Sequence, residues 1–149
     1  MKKIIDTKLY LGFAIVALSL SVVLACVSLY SIVFVEKEVK QLLMSDPDES
    51  ENFAKAYLKL RSPQIFAGYD FFDFDDSVIK KILSYFDSKI SANESIDAQD
   101  AEYLYALLDR RMLGSSLGMK TSVFLLILSL LGSLAFLYEK RDEKKRYSN

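Results

Sequence analysis

The chain has 149 residues, of which 52% are apolar and 26% are charged, and its formal net charge is −1. Residues 9–35 and 121–138 carry no charged side chain, and apolar runs of this length are typical of helices that cross a bilayer. This distribution excludes a soluble enzyme of ordinary size. Histidine is absent and Cys26 is the single cysteine, so a Ser–His or Cys–His pair, an imidazole metal ligand and an internal disulfide are excluded. We therefore expect no enzyme, no cofactor and no metal site.

The charges divide by segment, and this division predicts the topology. Lys and Arg occupy 8 of the 19 positions in residues 1–8 and 139–149, but only 10 of the 83 positions in residues 36–118. Positively charged flanks of membrane spans remain in the cytoplasm. We therefore expect both termini in the cytoplasm and the acidic middle segment outside it, in a protein of the inner (cytoplasmic) membrane.

The sequence thus predicts an all-α membrane protein in which two transmembrane helices flank a small extracytoplasmic helical bundle. In chain order we expect a cytoplasmic tail (1–8), transmembrane helix 1 (9–35), an acidic extracytoplasmic α-helical domain (36–118), transmembrane helix 2 (119–138) and a charged cytoplasmic tail (139–149). A bundle of this size has a marginal core. For the whole protein we expect the lipid bilayer as one partner, and either other integral membrane proteins or a second copy of the chain as another. We expect no nucleic acid as a partner.

The first apolar run contains one competing signal, because Val23-Leu24-Ala25-Cys26 loosely resembles a lipoprotein cleavage box. Residues 27–35 remain strongly apolar, whereas lipoproteins usually become polar just after the lipidated cysteine. The run is also too long for the core of a cleaved signal peptide. We therefore expect an uncleaved span in which Cys26 is a buried, unmodified membrane residue.

The first span also carries a stripe of small residues at helical spacing, called the seam below. Small residues at intervals of three and four allow another helix to approach closely, and serine hydroxyls can form hydrogen bonds across the contact. The second span has small residues near one face as well, at Ser122, Ser129, Gly132 and Ser133. The seam is a candidate helix-packing interface, either for another chain or for the second span alone; the remaining alternative is that the pattern is incidental. The seam comprises Ala14, Ala17, Ser21, Ala25 and Ser28.

Residues 36–118 carry helical signals throughout. The first span should continue through residues 36–44, and Asp46-Pro47-Asp48-Glu49 is a favourable helix start for a helix that ends at Ser62-Pro63. Apolar residues at helical spacing predict further helices over 77–90 and 98–113, separated by a polar break at 93–97. We expect a hinge at residues 114–120, in which Gly114-Ser115-Ser116-Leu117-Gly118 interrupts the last helix before the second span.

The loop before residue 77 combines aromatic and acidic side chains. Calcium binding is disfavoured, because the glycine and glutamate positions of an EF-hand loop counted from Asp73 fall on Val78 and Ser84. The aromatic residues could anchor the loop on the bundle, or they could contact a partner, since such residues are enriched at interfaces. The candidate partner-contact loop comprises Tyr69, Asp70, Phe71, Phe72, Asp73 and Phe74.

The layout of a span, an acidic helical domain and a second span resembles the input half of bacterial transmembrane receptors and sensor kinases, in architecture alone. Those receptors continue into a large cytoplasmic signalling region, whereas 11 residues follow the second span here, so we expect the chain not to act as a complete receptor. The favoured hypothesis is a non-catalytic accessory or structural subunit of a larger membrane protein complex. The alternative is a small stand-alone membrane regulator or sensor that binds a ligand or partner outside the cytoplasm. A carboxylate-only enzyme is a third hypothesis, for which the sequence places no paired acids.

Overall fold

The computed structural model of the protein describes residues 2–44, 50–62 and 77–147. These residues form helices joined by short turns, and none of them lies in a β-strand, which confirms the predicted all-α class for the described part of the chain. In chain order the elements are α1 (Lys2–Tyr30), a π-helical segment (Ser31–Glu36), α2 (Lys37–Met44), α3 (Ser50–Leu60), α4 (Ser77–Ser91), a 3₁₀ turn (Ala98–Asp100) and α5 (Ala101–Tyr147).

Two of the helical stretches are long and apolar enough to cross a membrane. They are Lys8–Met44 and Ala98–Asp142. The chain divides into two compact units. Residues 1–26 and 119–149 form what we call the span unit, and residues 27–118 form the core unit.

The core unit is a helical bundle around one hydrophobic cluster. Each of its helices contributes an apolar face at helical spacing, and full burial of one large apolar side chain contributes about 1.5–3 kcal/mol. The Asp97 side chain accepts a hydrogen bond from the Gln99 N–H at 3.0 Å and so starts the 3₁₀ turn that leads into α5. The most completely buried apolar members of the cluster are Val39, Ala56, Tyr57, Leu60, Phe86, Ile96, Leu104 and Leu107.

The predicted hinge at residues 114–120 is wrong, because α5 continues without interruption from Ala101 to Tyr147. Glycine in a helix interior costs only about 1 kcal/mol relative to alanine. Breaking the helix near an apolar run would instead leave backbone N–H and C=O groups without partners. Ser115 also supports the continuous helix, since its buried hydroxyl donates to the Arg111 carbonyl at 3.2 Å.

Cys26 is exposed on the surface of α1, and its expected burial within the membrane, without modification, stays a prediction. The small-residue face of α1 is the face that is covered in the span unit, and Cys26 does not belong to that face.

The predicted helix over 77–90 is confirmed by α4 (Ser77–Ser91). The proposed helix start at residues 46–49 lies outside the described residues.

Candidate functional site

The seam is covered mainly by the chain's own second apolar helix. In the span unit, Ser21 Oγ donates to the Ser122 carbonyl at 2.8 Å, and Ser122 Oγ donates back to the Ser21 carbonyl at 2.8 Å. One further hydroxyl, Ser129 Oγ, donates to the Ala14 carbonyl at 2.8 Å. These pairings make α1 and α5 antiparallel. All seam residues except the half-buried Ala25 are buried: Ala14, Ala17, Ser21 and Ser28, of which Ser28 belongs to the core unit.

The two helices approach each other closely at Gly132. A Cβ atom at this position would lie 3.2 Å from Phe13 Cδ1 and 3.3 Å from Ala14 Cβ, which is tighter than ordinary van der Waals contact. The absence of a side chain at Gly132 therefore allows α5 to lie directly on α1. The sequence pattern identified the packing face on each helix, and the structure shows that the two faces meet.

An open apolar groove of about 780 Å³ lies beside this contact, within the span unit. A Cβ atom added at Gly12 would meet nothing within 4 Å, so the backbone of α1 is accessible from the groove. The groove was not predicted from the sequence, because it depends on how the two helices pack. Its lining includes Lys8, Gly12, Phe13 and Val16 from α1 and Leu131 and Ala135 from α5.

A buried arginine forms hydrogen bonds with several polar groups inside the core unit. Arg111 is 1% exposed, and its Nη1 donates to the carbonyls of Leu60 and Ser62 at 3.2 and 2.7 Å. These carbonyls lie at the carboxyl end of α3, where main-chain acceptors lack helical partners and a cation interacts favourably with the helix dipole. Arg111 Nε also donates to Ser31 Oγ at 2.9 Å. Arg111 therefore joins α5, the end of α3 and the π-helical segment.

The π-helical segment places a carboxylate in the same network. Ser31 Oγ donates to Glu36 Oε1 at 3.1 Å, across the five-residue spacing that a π-helix brings onto one face. Both residues are buried, at 1% and 7% exposure. The hydroxyl of Ser31 thus connects the guanidinium of Arg111 to the carboxylate of Glu36, and this chain of contacts compensates two buried charges.

A second charged cluster lies where α4 meets the start of α5. Asp100 is 3% exposed and accepts hydrogen bonds from Lys89 Nζ at 2.6 Å and from Tyr85 Oη at 2.7 Å. Burial acts to raise the pKa of Asp100, but the bonds from Lys89, Tyr85 and the Asp97 N–H outweigh it and hold the pKa below its ordinary value. The same hydrogen bond to Asp100 raises the pKa of Lys89.

An aromatic cleft of about 200 Å³ opens beside this cluster and is lined by Lys81, Ile82, Tyr85 and Tyr103. The rings of Tyr85 and Tyr103 meet edge to face with centroids 5.7 Å apart, and Tyr103 is 46% exposed. Val78 lies one turn before Lys81 on α4 and is 61% exposed. We call the exposed residues Val78, Lys81, Tyr85 and Tyr103 the α4–α5 patch.

The candidate partner-contact loop, Tyr69 to Phe74, lies outside the described residues. The sequence patterns did not identify Arg111, Ser31 or Glu36 as residues of a site. One signal was available for Arg111, because it follows Leu104 and Leu108 at helical spacing on the apolar face of α5 and so falls on a core position. Within residues 2–44, 50–62 and 77–147, no three acidic or cysteine side chains are grouped so that they could hold a metal ion.

No protein-family model, no curated protein and no solved structure matches this chain. The function of the chain is therefore inferred from its residues and their geometry.

Proposed function

We propose that this protein is a non-catalytic accessory or structural subunit of a larger membrane protein complex. It resides in the inner membrane with both termini in the cytoplasm, is held there by the span unit, and contacts its partner through the extracytoplasmic core unit.

The surface of the span unit supports the membrane location. Its outward-facing side chains are large and apolar along both helices, in keeping with a hydrocarbon environment and far beyond the apolar patches of soluble monomers. Basic residues are concentrated in the two tails, as they are in cytoplasmic flanks. Exposed apolar residues of this surface include Leu9, Phe13, Ile15, Val22, Phe124, Leu130 and Leu134.

The α4–α5 patch is the observation that carries the subunit proposal. Tyrosine is enriched in interface centres, where its rigid ring buries a large area and its hydroxyl retains a polar partner. Tyr85 already donates to Asp100, so its ring is held in place before a partner arrives. A preorganised aromatic surface beside a cleft is suited to a protein side chain, and the cleft is smaller than typical small-molecule sites of about 300–1,000 Å³.

Purification in mild detergent, followed by identification of the chains that co-purify, tests the proposal. Val78→Glu should remove the partner because it places a negative charge on an exposed apolar position of the α4–α5 patch. Leu58→Glu is the matched control, since Leu58 and Val78 are both 61% exposed and Leu58 lies on α3. A chain that purifies alone, or a partner retained equally by both variants, would contradict the proposed surface.

The alternative function is a stand-alone regulator or sensor, and the Arg111 network favours it. Short π-helical segments occur frequently at functional sites, and this one links three helical elements through buried charges. A regulator of this kind should purify as a single species whose stability increases with a ligand from outside the cytoplasm. A stable stoichiometric complex favours the subunit proposal instead.

A further inference from the structure

We propose that the groove of the span unit binds one anionic phospholipid, with an acyl chain against Gly12 and the headgroup beside Lys8. This inference rests on the membrane location proposed above and goes beyond the subunit function.

The shape and lining of the groove suit an acyl chain. Its walls are aliphatic and aromatic over most of their length, from Val16 and Phe13 on α1 to Leu131 on α5. The volume of about 780 Å³ is within the range of small-molecule sites. At Gly12 a bound chain can touch the helix backbone directly, because no other atom of the span unit would contact a Cβ there.

Charge complementarity identifies the headgroup. Lys8 is exposed and is part of the groove lining, and the exposed Lys140 and Arg141 follow little more than one turn after Ala135 on α5. An ammonium group at the headgroup level attracts anionic lipids.

A lipid suits the groove better than a transmembrane helix from another chain. Such a helix would have to cover Lys8 within an apolar contact, and burial of an unpaired lysine in the membrane is costly. A phosphodiester headgroup instead supplies the opposite charge at the point where the groove meets the interface.

The absence of tryptophan from the chain allows a direct test by fluorescence quenching in vesicles. Val16→Trp places the reporter in the groove, and Ile15→Trp is the matched control, one residue earlier and exposed outside the lining. Vesicles of phosphatidylcholine receive equal small fractions of brominated phosphatidylglycerol or brominated phosphatidylcholine. The groove tryptophan should show about a fivefold preference for the anionic quencher, the effect of one lysine near an anionic headgroup. The control tryptophan should be quenched equally by both.

The outcomes separate the lipid site from the membrane location. In the Val16→Trp background, Lys8→Gln should equalise the two quenchers, and Gly12→Leu should do the same by filling the groove. In the variant that carries Val16→Trp alone, equal quenching of the tryptophan by both brominated lipids would overturn the lipid site. Protection of the groove tryptophan from both lipids, with the control quenched, would mean that protein covers the groove and would also overturn it. Protection at both positions would overturn the membrane location itself.

A second measurement uses the native chain without a reporter. After extensive detergent washing, the protein should retain anionic phospholipid in excess of its fraction in the membrane, as measured by mass spectrometry. The Lys8→Gln variant should lose this excess, and equal retention by both proteins would overturn the proposal.

Discussion

Arg111→Met removes a buried guanidinium while approximately preserving the length of the side chain. Arg111 donates hydrogen bonds to Ser31, Leu60 and Ser62 at distances of 2.7–3.2 Å, and hydrogen bonds to a charged group contribute about 1.5–3 kcal/mol each. Part of this gain is offset by the cost of burying the charge. Removal of one member of a buried charged network typically costs about 3–5 kcal/mol, which is the loss in unfolding free energy that we expect.

The Glu36 carboxylate, which remains buried when Arg111 is replaced, provides a second test of the role of Arg111. In Arg111→Met, Glu36 remains at 7% exposure without the cation to which Ser31 connects it. Glu36→Gln in the Arg111→Met background should therefore cost less than Glu36→Gln alone. The coupling between two members of such a network is about 0.5–3 kcal/mol.

Thermal unfolding in mild detergent, followed by circular dichroism, measures the effect. For a unit of this size 1 kcal/mol corresponds to about 4–8 °C in Tm, so Arg111→Met should lower Tm by more than about 10 °C. The control is Lys37→Met at an exposed position of α2, where substitutions typically change stability by about 0.5 kcal/mol or less. Equal Tm values for the two variants would refute the assigned role of Arg111.

The remaining predictions concern the helix pair and the Lys89–Asp100 ion pair. Ser21→Leu should destabilise the helix pair by about 1–3 kcal/mol through overpacking, as measured by thermal unfolding, whereas Ser19→Leu on the exposed face should be mild. Gly12→Ala should unfold at a higher temperature than Gly132→Ala, because only the latter Cβ meets atoms at 3.2–3.3 Å; the reverse order would contradict the packing. Because the pKa of Asp100 is lowered and that of Lys89 is raised, the ion pair should stabilise the fold between about pH 4 and 10. This contribution should disappear as the pH falls below or rises above that range, and Asp100→Asn should remove the acid-side loss.

The seam shows which part of the helix packing sequence periodicity can predict. The spacing of Ala14, Ala17 and Ser21 identified the face of α1 that packs, because small residues at intervals of three and four leave room for a backbone. The same spacing carried no information about which helix occupies the face. The pairing of Ser21 with Ser122 depends on the antiparallel register of two segments separated by about 100 residues, and local pattern does not determine it.

The buried charges were less accessible to prediction than the apolar core. Arg111 occupies a position that apolar periodicity assigns to the core, yet its hydrogen-bond acceptors come from the end of α3 and from Ser31, which are remote in sequence. A pattern with a period of 3.6 residues likewise does not predict the π-helical segment. The hinge prediction is wrong because glycine propensity is a small local effect, and the cost of breaking backbone hydrogen bonds beside an apolar helix outweighs it.

The proposed topology, with the core unit and the two tails on opposite sides of a membrane, is tested most directly by cysteine labelling in cells. In a Cys26→Ser background, a cysteine at Ser95, which is exposed in the core unit, should react with a membrane-impermeant maleimide once the outer membrane is permeabilised. A cysteine at Ser148 should react only after the inner membrane is disrupted. Labelling of Ser148→Cys in intact inner membranes, with Ser95→Cys protected, would contradict the topology on which the proposed partner surface depends.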